Sequence, residues 1–212
     1  MPGINVLIVD DHPIVRRGLV DILKEEPDIA TCGEASDAAS LIEQLPKADW
    51  SVVVLDISLP DRSGLDVLLE LKEKQPDLPV LILSMLPEDQ FAIRALQAGA
   101  AGYISKQNAP DELVRAIRRV LSGRKYVSDA MNEKMLNNLG TTGSQPLHAR
   151  LSNREFQVMC LLASGKTVKK IADELYLSAK TIGTYRARIL EKMNMQNNTE
   201  LIRYVVENHL IG

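Results

Sequence analysis

The N-terminal half of the chain alternates short apolar runs with longer stretches whose apolar residues recur every three to four positions. The runs Val6–Val9, Ala30–Gly33, Val52–Leu55, Val80–Leu83 and Gly102–Ile104 read as strands. The third and fourth are apolar throughout, as expected of parallel strands covered on both faces. His12–Lys24, Asp37–Leu45, Gly64–Lys74, Pro87–Ala98 and Pro110–Leu121 read as amphipathic helices. Pro13, Pro87 and Pro110 suit a first helical turn, where the N–H that proline lacks has no intrahelical partner. Five β–α units with tight connections predict a doubly wound, five-stranded parallel sheet of flavodoxin-like order 2-1-3-4-5.

Past residue 122 the pattern changes. Ser128–Leu139 predicts a short helix, capped by Ser128 and stopped by Gly140. Gly140–Pro146 is small and polar with no periodicity, which predicts a linker. Everything beyond it reads as helix. Ser152 and Glu155 form a capping box ahead of Phe156–Ala163, and Gly165 ends that helix. Thr167–Leu175 is a second helix, Ser178 caps a third that runs to about Met193, and Thr199–Asn208 is a fourth. Ile171, Ala172 and Leu175 give the second an apolar stripe, and Ile182, Ile189 and Met193 give one to the third. The turn Tyr176-Leu177-Ser178 between them makes a helix-turn-helix. The expected organisation is an α/β domain over 4–122, a linker with a short helix over 123–147, and an all-α helix-turn-helix domain over 148–212.

Composition narrows the function classes. A chain of 212 residues, 45% hydrophobic and 25% charged, suits two folded domains and excludes disorder. Cys32 and Cys160 show no metal-type spacing and read as small apolar residues in a reducing compartment. Val6–Val9 is too short for a signal-peptide core, and no run reaches the length of a membrane span. The expectation is a cytoplasmic protein with no membrane partner. The net charge of −3 hides an asymmetry: residues 1–125 carry 14 basic and 20 acidic side chains, net −6, and residues 126–212 carry 11 and 8, net +3. A polyanion is therefore expected at the C-terminal domain.

Asp10 and Asp11 close the first strand and Asp56 the third, which the predicted order makes neighbours at the topological switch point. Three carboxylates gathered there repel by several kcal/mol unless a cation joins them, and Mg²⁺ suits an all-oxygen site. Ser84 at the fourth strand and Lys106 after the fifth bring a hydroxyl and an ammonium to the same edge. Such a set is what an aspartyl phosphate requires. On the third C-terminal helix, the face opposite the apolar stripe carries Lys180, Gly183, Thr184, Ala187 and Glu191, with Arg188 beside it. Small residues there let a helix enter a major groove, and basic residues at its margin reach phosphates.

The stretches VDDHP (9–13), LDISLP (55–60), SGLD (63–66), LILS (81–84) and AGYISK (101–106) resemble the receiver domains of response regulators. That resemblance implies that Asp56 accepts a phosphoryl group from a sensor histidine kinase. It implies Mg²⁺ bound by Asp10 or Asp11 with Asp56 and the Ser58 carbonyl. It also implies that Ser84 and Lys106 sense the phosphoryl group, and that Tyr103 swings inward with Ser84. Many receivers follow the lysine with a cis-linked proline. Here Gln107 follows, and a trans bond is expected because cis costs about 2.5–4 kcal/mol without proline.

LSNRE (151–155) and IADELYLSAKTIGTYRARILEKM (171–193) resemble the C-terminal domain of NarL/FixJ (LuxR-type) regulators. The resemblance implies binding of double-stranded DNA through a motif over about Val168–Ala187, by a homodimer formed on phosphorylation. Thr181, Tyr185 and Arg188 would lie near phosphates, with Lys180, Thr184 and Arg188 as candidates for base readout. Several members carry lysine and valine where this chain has Gly183 and Thr184, and lysine at Ala187, so its base readout differs from theirs.

Two other functions compete. A phosphohydrolase using Asp56 as nucleophile would want an aspartate two residues on, where Ser58 stands. No G-x-x-x-x-G-K-[ST] or G-x-G-x-x-G occurs. An RNA-binding regulator would want a platform of stacking aromatics, and 151–211 supplies none. The function expected is phosphorylation-dependent transcription regulation, without enzymatic turnover.

Overall fold

In the computed structural model, residues 3–86, 88–129, 131–133, 146–208 and 210 are described. The chain divides into two compact units, Met1–Met135 and Leu136–Gly212.

The first unit carries β1 (Ile4–Val9), α1 (Pro13–Lys24), β2 (Ile29–Ala35), α2 (Ala38–Gln44), β3 (Val52–Asp56), α3 (Gly64–Lys74), β4 (Val80–Ser84), α4 (Glu88–Gln97), β5 (Gly102–Ser105) and α5 (Ala109–Leu121). All strand pairs are parallel, in the order β2-β1-β3-β4-β5 expected from the sequence. Val6, Ile8, Val52, Val54, Leu81, Leu83 and Ile104 pack with residues of α1 and α5 in one core cluster. The alternate residues Leu7, Val9, Val53, Leu55, Ile82 and Tyr103 are buried too, and right-handed crossovers in this strand order put α2, α3 and α4 on their face. Each fully buried aliphatic side chain contributes about 1.5–3 kcal/mol.

The strands outrun the apolar stretches that announce them. Pairing continues to Asp56, opposite Leu83, and to Ser84, opposite Ser105. The backbone ladder therefore sets the strand ends, and it carries these polar residues as part of the sheet. Helix ends shift for the same kind of reason. Asp37 stands outside α2 as its cap, accepting from the Ser40 N–H at 2.7 Å, and α2 gives way at Pro46 to a 3₁₀ turn, Leu45–Lys47. His12 takes the N-cap position of α1, ahead of Pro13. Pro87 lies outside the described residues. No cis peptide occurs among the described residues, which include the Lys106–Gln107 bond.

The stretch expected as a linker does not leave the sheet at once. Tyr126 bridges to Gly102 at the outer edge of β5 and is buried. The Ser128 hydroxyl accepts from the Met131 N–H at 3.1 Å, as an N-cap should. Residues 129 and 131–133 are helical, with the Asn132 N–H on the Ser128 carbonyl at 3.0 Å. Residues 130 and 134–139 of the expected helix, and Gly140–Gln145 of the linker, lie outside the described residues.

The second unit opens on a 3₁₀ turn, Leu147–Arg150, followed by α6 (Asn153–Ala163), α7 (Val168–Glu174), α8 (Ala179–Lys192) and α9 (Asn198–Glu207). Ser152, Thr167, Ser178 and Asn197 cap these helices, each with its side chain on an N–H three residues on. Phe156, Ile171, Ile182, Ile189, Leu201 and Val205 form its core. Cys160 is buried, Cys32 half-buried, and both are free.

Candidate functional site

The C-terminal edge of the sheet gathers the residues that the sequence pointed to. Lys106 Nζ lies 2.7 Å from Asp56 Oδ2 and 2.6 Å from Asp10 Oδ2. The first is an aligned hydrogen bond, and the second is an ion-pair contact without that alignment. Asp56 Oδ1 accepts from the Ser58 N–H at 3.1 Å, and Asp10 Oδ1 accepts from the His12 N–H at 2.9 Å. Asp10 and Ser84 are fully buried and Asp56 is 2% exposed. Gly64 allows the loop after β3 to close over this end, since a Cβ there would overlap the Asp56 carbonyl oxygen. On β4 and β5, Ser84 Oγ accepts from the Leu86 N–H at 3.1 Å, and the Tyr103 hydroxyl donates to the Leu86 carbonyl at 2.7 Å. The Tyr103 ring is already inside the fold, at 1% exposure.

Electrostatics mark this edge as strained by its own charge. Burial pushes the Asp56 carboxyl up to about 6; the Lys106 ammonium pulls it down and the Asp10 carboxylate pushes it up. Burial opposes the charge on Lys106, but Asp56 and Asp10 outweigh it and hold the ammonium above its ordinary range. Both Asp11 oxygens and Asp10 Oδ2 are buried without a hydrogen bond. His12 Nδ1 approaches Asp11 Oδ1 to 2.6 Å, an ion-pair distance when the imidazole is protonated. One ligand atom each from Asp10, Asp11, His12 and Asp56 falls within a 4.8 Å span. Three converging carboxylates, two of them with oxygens that lack a hydrogen bond, are a donor set suited to a hard divalent cation. His12 was not anticipated from the sequence, although its place directly after Asp10-Asp11 was a usable signal.

The second unit presents a different surface. The α7–α8 connection puts Tyr176 in the left-handed region, at φ 53°, and closes with the Leu177 N–H on the Ala172 carbonyl at 2.8 Å. Ile182 and Ile189 of α8 and Met193 at its C-cap turn into the core, so Lys180, Gly183, Thr184, Ala187 and Arg188 are exposed. Thr181 and Tyr185 are half-buried. Lys180, Thr181, Thr184, Tyr185 and Arg188 line an open hollow of about 300 Å³. Nothing lies within contact distance of a Cβ built on Gly183.

Two buried polar residues of α6, unremarked in the sequence beyond a cap, fix this arrangement. Arg154 donates to Gln157 Oε1 and to the Leu175 carbonyl, both at 2.9 Å, and so grips the end of α7. Glu155 Oε2 accepts from the Ser152 N–H at 2.8 Å and from Lys192 Nζ at 2.7 Å, tying down the end of α8. Burial pushes the Glu155 carboxyl up, but Lys192 and Ser152 outweigh it and hold it below the ordinary range.

Residues 6–118 match the response regulator receiver domain family, and residues 149–205 match the luxR family of bacterial regulatory proteins. The response regulator UvrY of Escherichia coli is 36% identical over 208 residues, covering 98% of this chain and 95% of UvrY. The chain is a response regulator of the NarL/FixJ family. This response regulator is also 36% identical over 205 residues to the DNA-binding transcriptional activator DevR/DosR of Mycobacterium tuberculosis, covering 96% of this chain and 94% of that protein. Among solved structures, it is similar to RcsB of Salmonella enterica serovar Typhimurium bound to the rprA promoter with the phosphomimetic BeF₃⁻. There the identity is 30% and the TM-score 0.65, over 96% of this chain and 98% of that one. The family comprises DNA-binding transcription regulators and not enzymes. No described helix is long and apolar enough to cross a membrane.

Proposed function

We propose that this response regulator is switched by phosphorylation of Asp56 and reads double-stranded DNA with α8, acting in the cytoplasm. The reading divides the chain into a receiver domain over 4–122, a linker over 123–147 and a DNA-binding domain over 148–212. The observation that carries it is the Asp10–Lys106–Asp56 ion triad at a buried sheet edge, beside the orphaned carboxylate oxygens of Asp11.

An Asp56 oxygen attacks the phosphorus of a phosphohistidine on the cognate sensor kinase. The P–N bond breaks, its electron pair stays on the imidazole nitrogen, and that nitrogen takes up a proton. Asp10, Asp11 and Asp56, with the Ser58 carbonyl, would hold Mg²⁺, which neutralises charge on the phosphoryl oxygens. Lys106 keeps its ammonium beside Asp56 and moves from pairing with that carboxylate to pairing with the phosphoryl group. The Ser84 hydroxyl donates to a phosphoryl oxygen, and Tyr103, already inside, follows the Leu86 carbonyl that it holds. On α8, Thr181, Tyr185 and Arg188 meet phosphates, Lys180 and Thr184 meet base edges, and Gly183 and Ala187 let the helix approach closely. A phosphorylated homodimer places two such helices on two half-sites. RcsB, similar over nearly its whole length, is described as bound to a promoter with a phosphomimetic present, which supports both halves of the proposal.

Acetyl phosphate with Mg²⁺ should label the wild-type protein, and chelation of the metal should prevent labelling. Asp56→Asn should incorporate nothing while retaining its circular dichroism. Normal labelling of Asp56→Asn would move the acceptor elsewhere.

A further inference from the structure

The residues that leave α5 are held by the same groups that surround the acceptor pocket. Ser84 Oγ accepts the Leu86 N–H, and the Leu86 carbonyl accepts the Tyr103 hydroxyl. The Tyr103 N–H in turn donates to the Tyr126 carbonyl at 2.8 Å, and the Tyr126 N–H donates to the Ala101 carbonyl at 3.0 Å. Two residues beyond Leu86, at the start of α4, Glu88 Oε1 accepts from the Ser128 N–H at 2.8 Å. The segment after α5 is thus fastened twice: along the edge of β5, the strand of Tyr103, and to the helix that follows Ser84.

Its packing is built for this docking. Tyr126, Val127 and Met131 are buried. Arg115 Nη2 donates to the Tyr126 hydroxyl at 2.9 Å. A side chain at Gly102 would collide with the Tyr126 carbonyl, so that position admits the segment only as glycine. A passive tether exposes its backbone to water and needs none of these partners.

We propose that residues 125–129 and 131–133 are the receiver's output element, a docked segment whose hold on β5 and α4 loosens when Asp56 is phosphorylated. The proposal rests on Asp56 being the acceptor. Ser84 Oγ now sits under the Leu86 N–H. Turning its hydroxyl to a phosphoryl oxygen moves Oγ away, and the Leu86 peptide must shift to find another acceptor, because an orphaned buried N–H is costly. That peptide cannot shift alone. Its carbonyl carries the Tyr103 hydroxyl, and two residues on the chain carries Glu88. The charge-assisted Glu88–Ser128 bond fastens the segment to α4 and is sensitive to its geometry. Phosphorylation therefore reaches the start of the linker through the backbone of β5 and α4.

Hydrogen–deuterium exchange on the full-length protein tests this, with beryllofluoride and Mg²⁺ as the probe of the phosphorylated form. Peptides spanning 84–106 should change their protection, and amides in 124–133 should exchange about tenfold faster, the scale of one lost charged hydrogen bond. Glu88→Ala should exchange fast in 124–133 with or without beryllofluoride while still taking a phosphoryl group from acetyl phosphate. Glu88→Gln, which keeps an acceptor, should restore most of the response. A change in 84–106 with equal or slower exchange in 124–133 would overturn the output element and leave the Asp56 reading standing. No change in either region would overturn the Asp56 reading, and this proposal with it.

Discussion

Asp56 sits between opposing influences, and its balance has a measurable consequence. Its folded carboxyl is raised to about 6, chiefly by burial, against about 3.9 in an unfolded chain. A raised acid favours the protonated native state. The resulting stability is fully present below the unfolded value and is lost as pH climbs through the folded one. At pH 7.5 without Mg²⁺ the buried carboxylate is therefore a liability of at most about 3 kcal/mol. Asp56→Asn should raise the Tm of the receiver's unfolding transition by a few degrees at that pH. Lys106 keeps Asp10 as a partner in that variant, so no new charge is stranded. The gap should shrink toward pH 4, and Mg²⁺ should raise the Tm of the wild type only. Calorimetry that finds Asp56→Asn less stable than wild type at pH 7.5 would contradict this balance. At this scale much was legible. Asp10, Asp56, Ser84 and Lys106 could be gathered from the sequence because strand ends have an address in a doubly wound sheet. Arg154 could not, since its partners Gln157 and the Leu175 carbonyl depend on how α6 meets α7, which periodicity does not encode.

Elements were legible where one period dominated and less so where a ladder or a cap decided the boundary. The continuous run Val52–Leu55 marked β3 clearly, and the strand ends at Asp56 as expected, because pairing to Leu83 continues past the apolar residues. Tyr126 falls within the linker expected over 123–147, and no apolar run or period marks it as sheet edge. Its pairing along β5 depends on Gly102, more than twenty residues earlier. For α8 the pattern was sufficient: Ile182 and Ile189 are buried, and the opposite face is open. The exposed guanidinium of Arg188 borders the hollow on that face. Arg188→Ala should weaken binding to all duplexes and reduce the slope of log affinity against log salt by about one. Thr184→Ala should instead alter the ranking of sites, because the proposed function puts this side chain at base edges. An unchanged salt slope for Arg188→Ala, combined with a shifted preferred site, would reverse the two assignments.

At the scale of the whole molecule, charge and valence set the affinity. Residues 1–125 carry net −6 and residues 126–212 net +3, a charge balance that favours a polyanion at the C-terminal unit. Yet a net charge of +3 over residues 126–212 allows few phosphate contacts, so a single DNA-binding domain should bind weakly. Pairing two of them on one duplex raises affinity steeply without any new kind of contact. A fragment beginning near Leu147 should therefore bind DNA less tightly than the phosphorylated full-length protein, and it should gain affinity when artificially dimerised. A fragment that matches the phosphorylated protein would instead make masking by the receiver the dominant control.

The central claim is that charge placed on Asp56 governs DNA binding, and affinity for one operator tests it most directly. The operator is a duplex selected by this protein from a random library. Its Kd is measured by fluorescence anisotropy on wild type and Asp56→Asn, each with Mg²⁺, with and without beryllofluoride. The account predicts that beryllofluoride tightens wild-type binding by roughly tenfold or more through dimerisation and leaves Asp56→Asn unchanged. An equal gain in Asp56→Asn, or none in wild type, would contradict it.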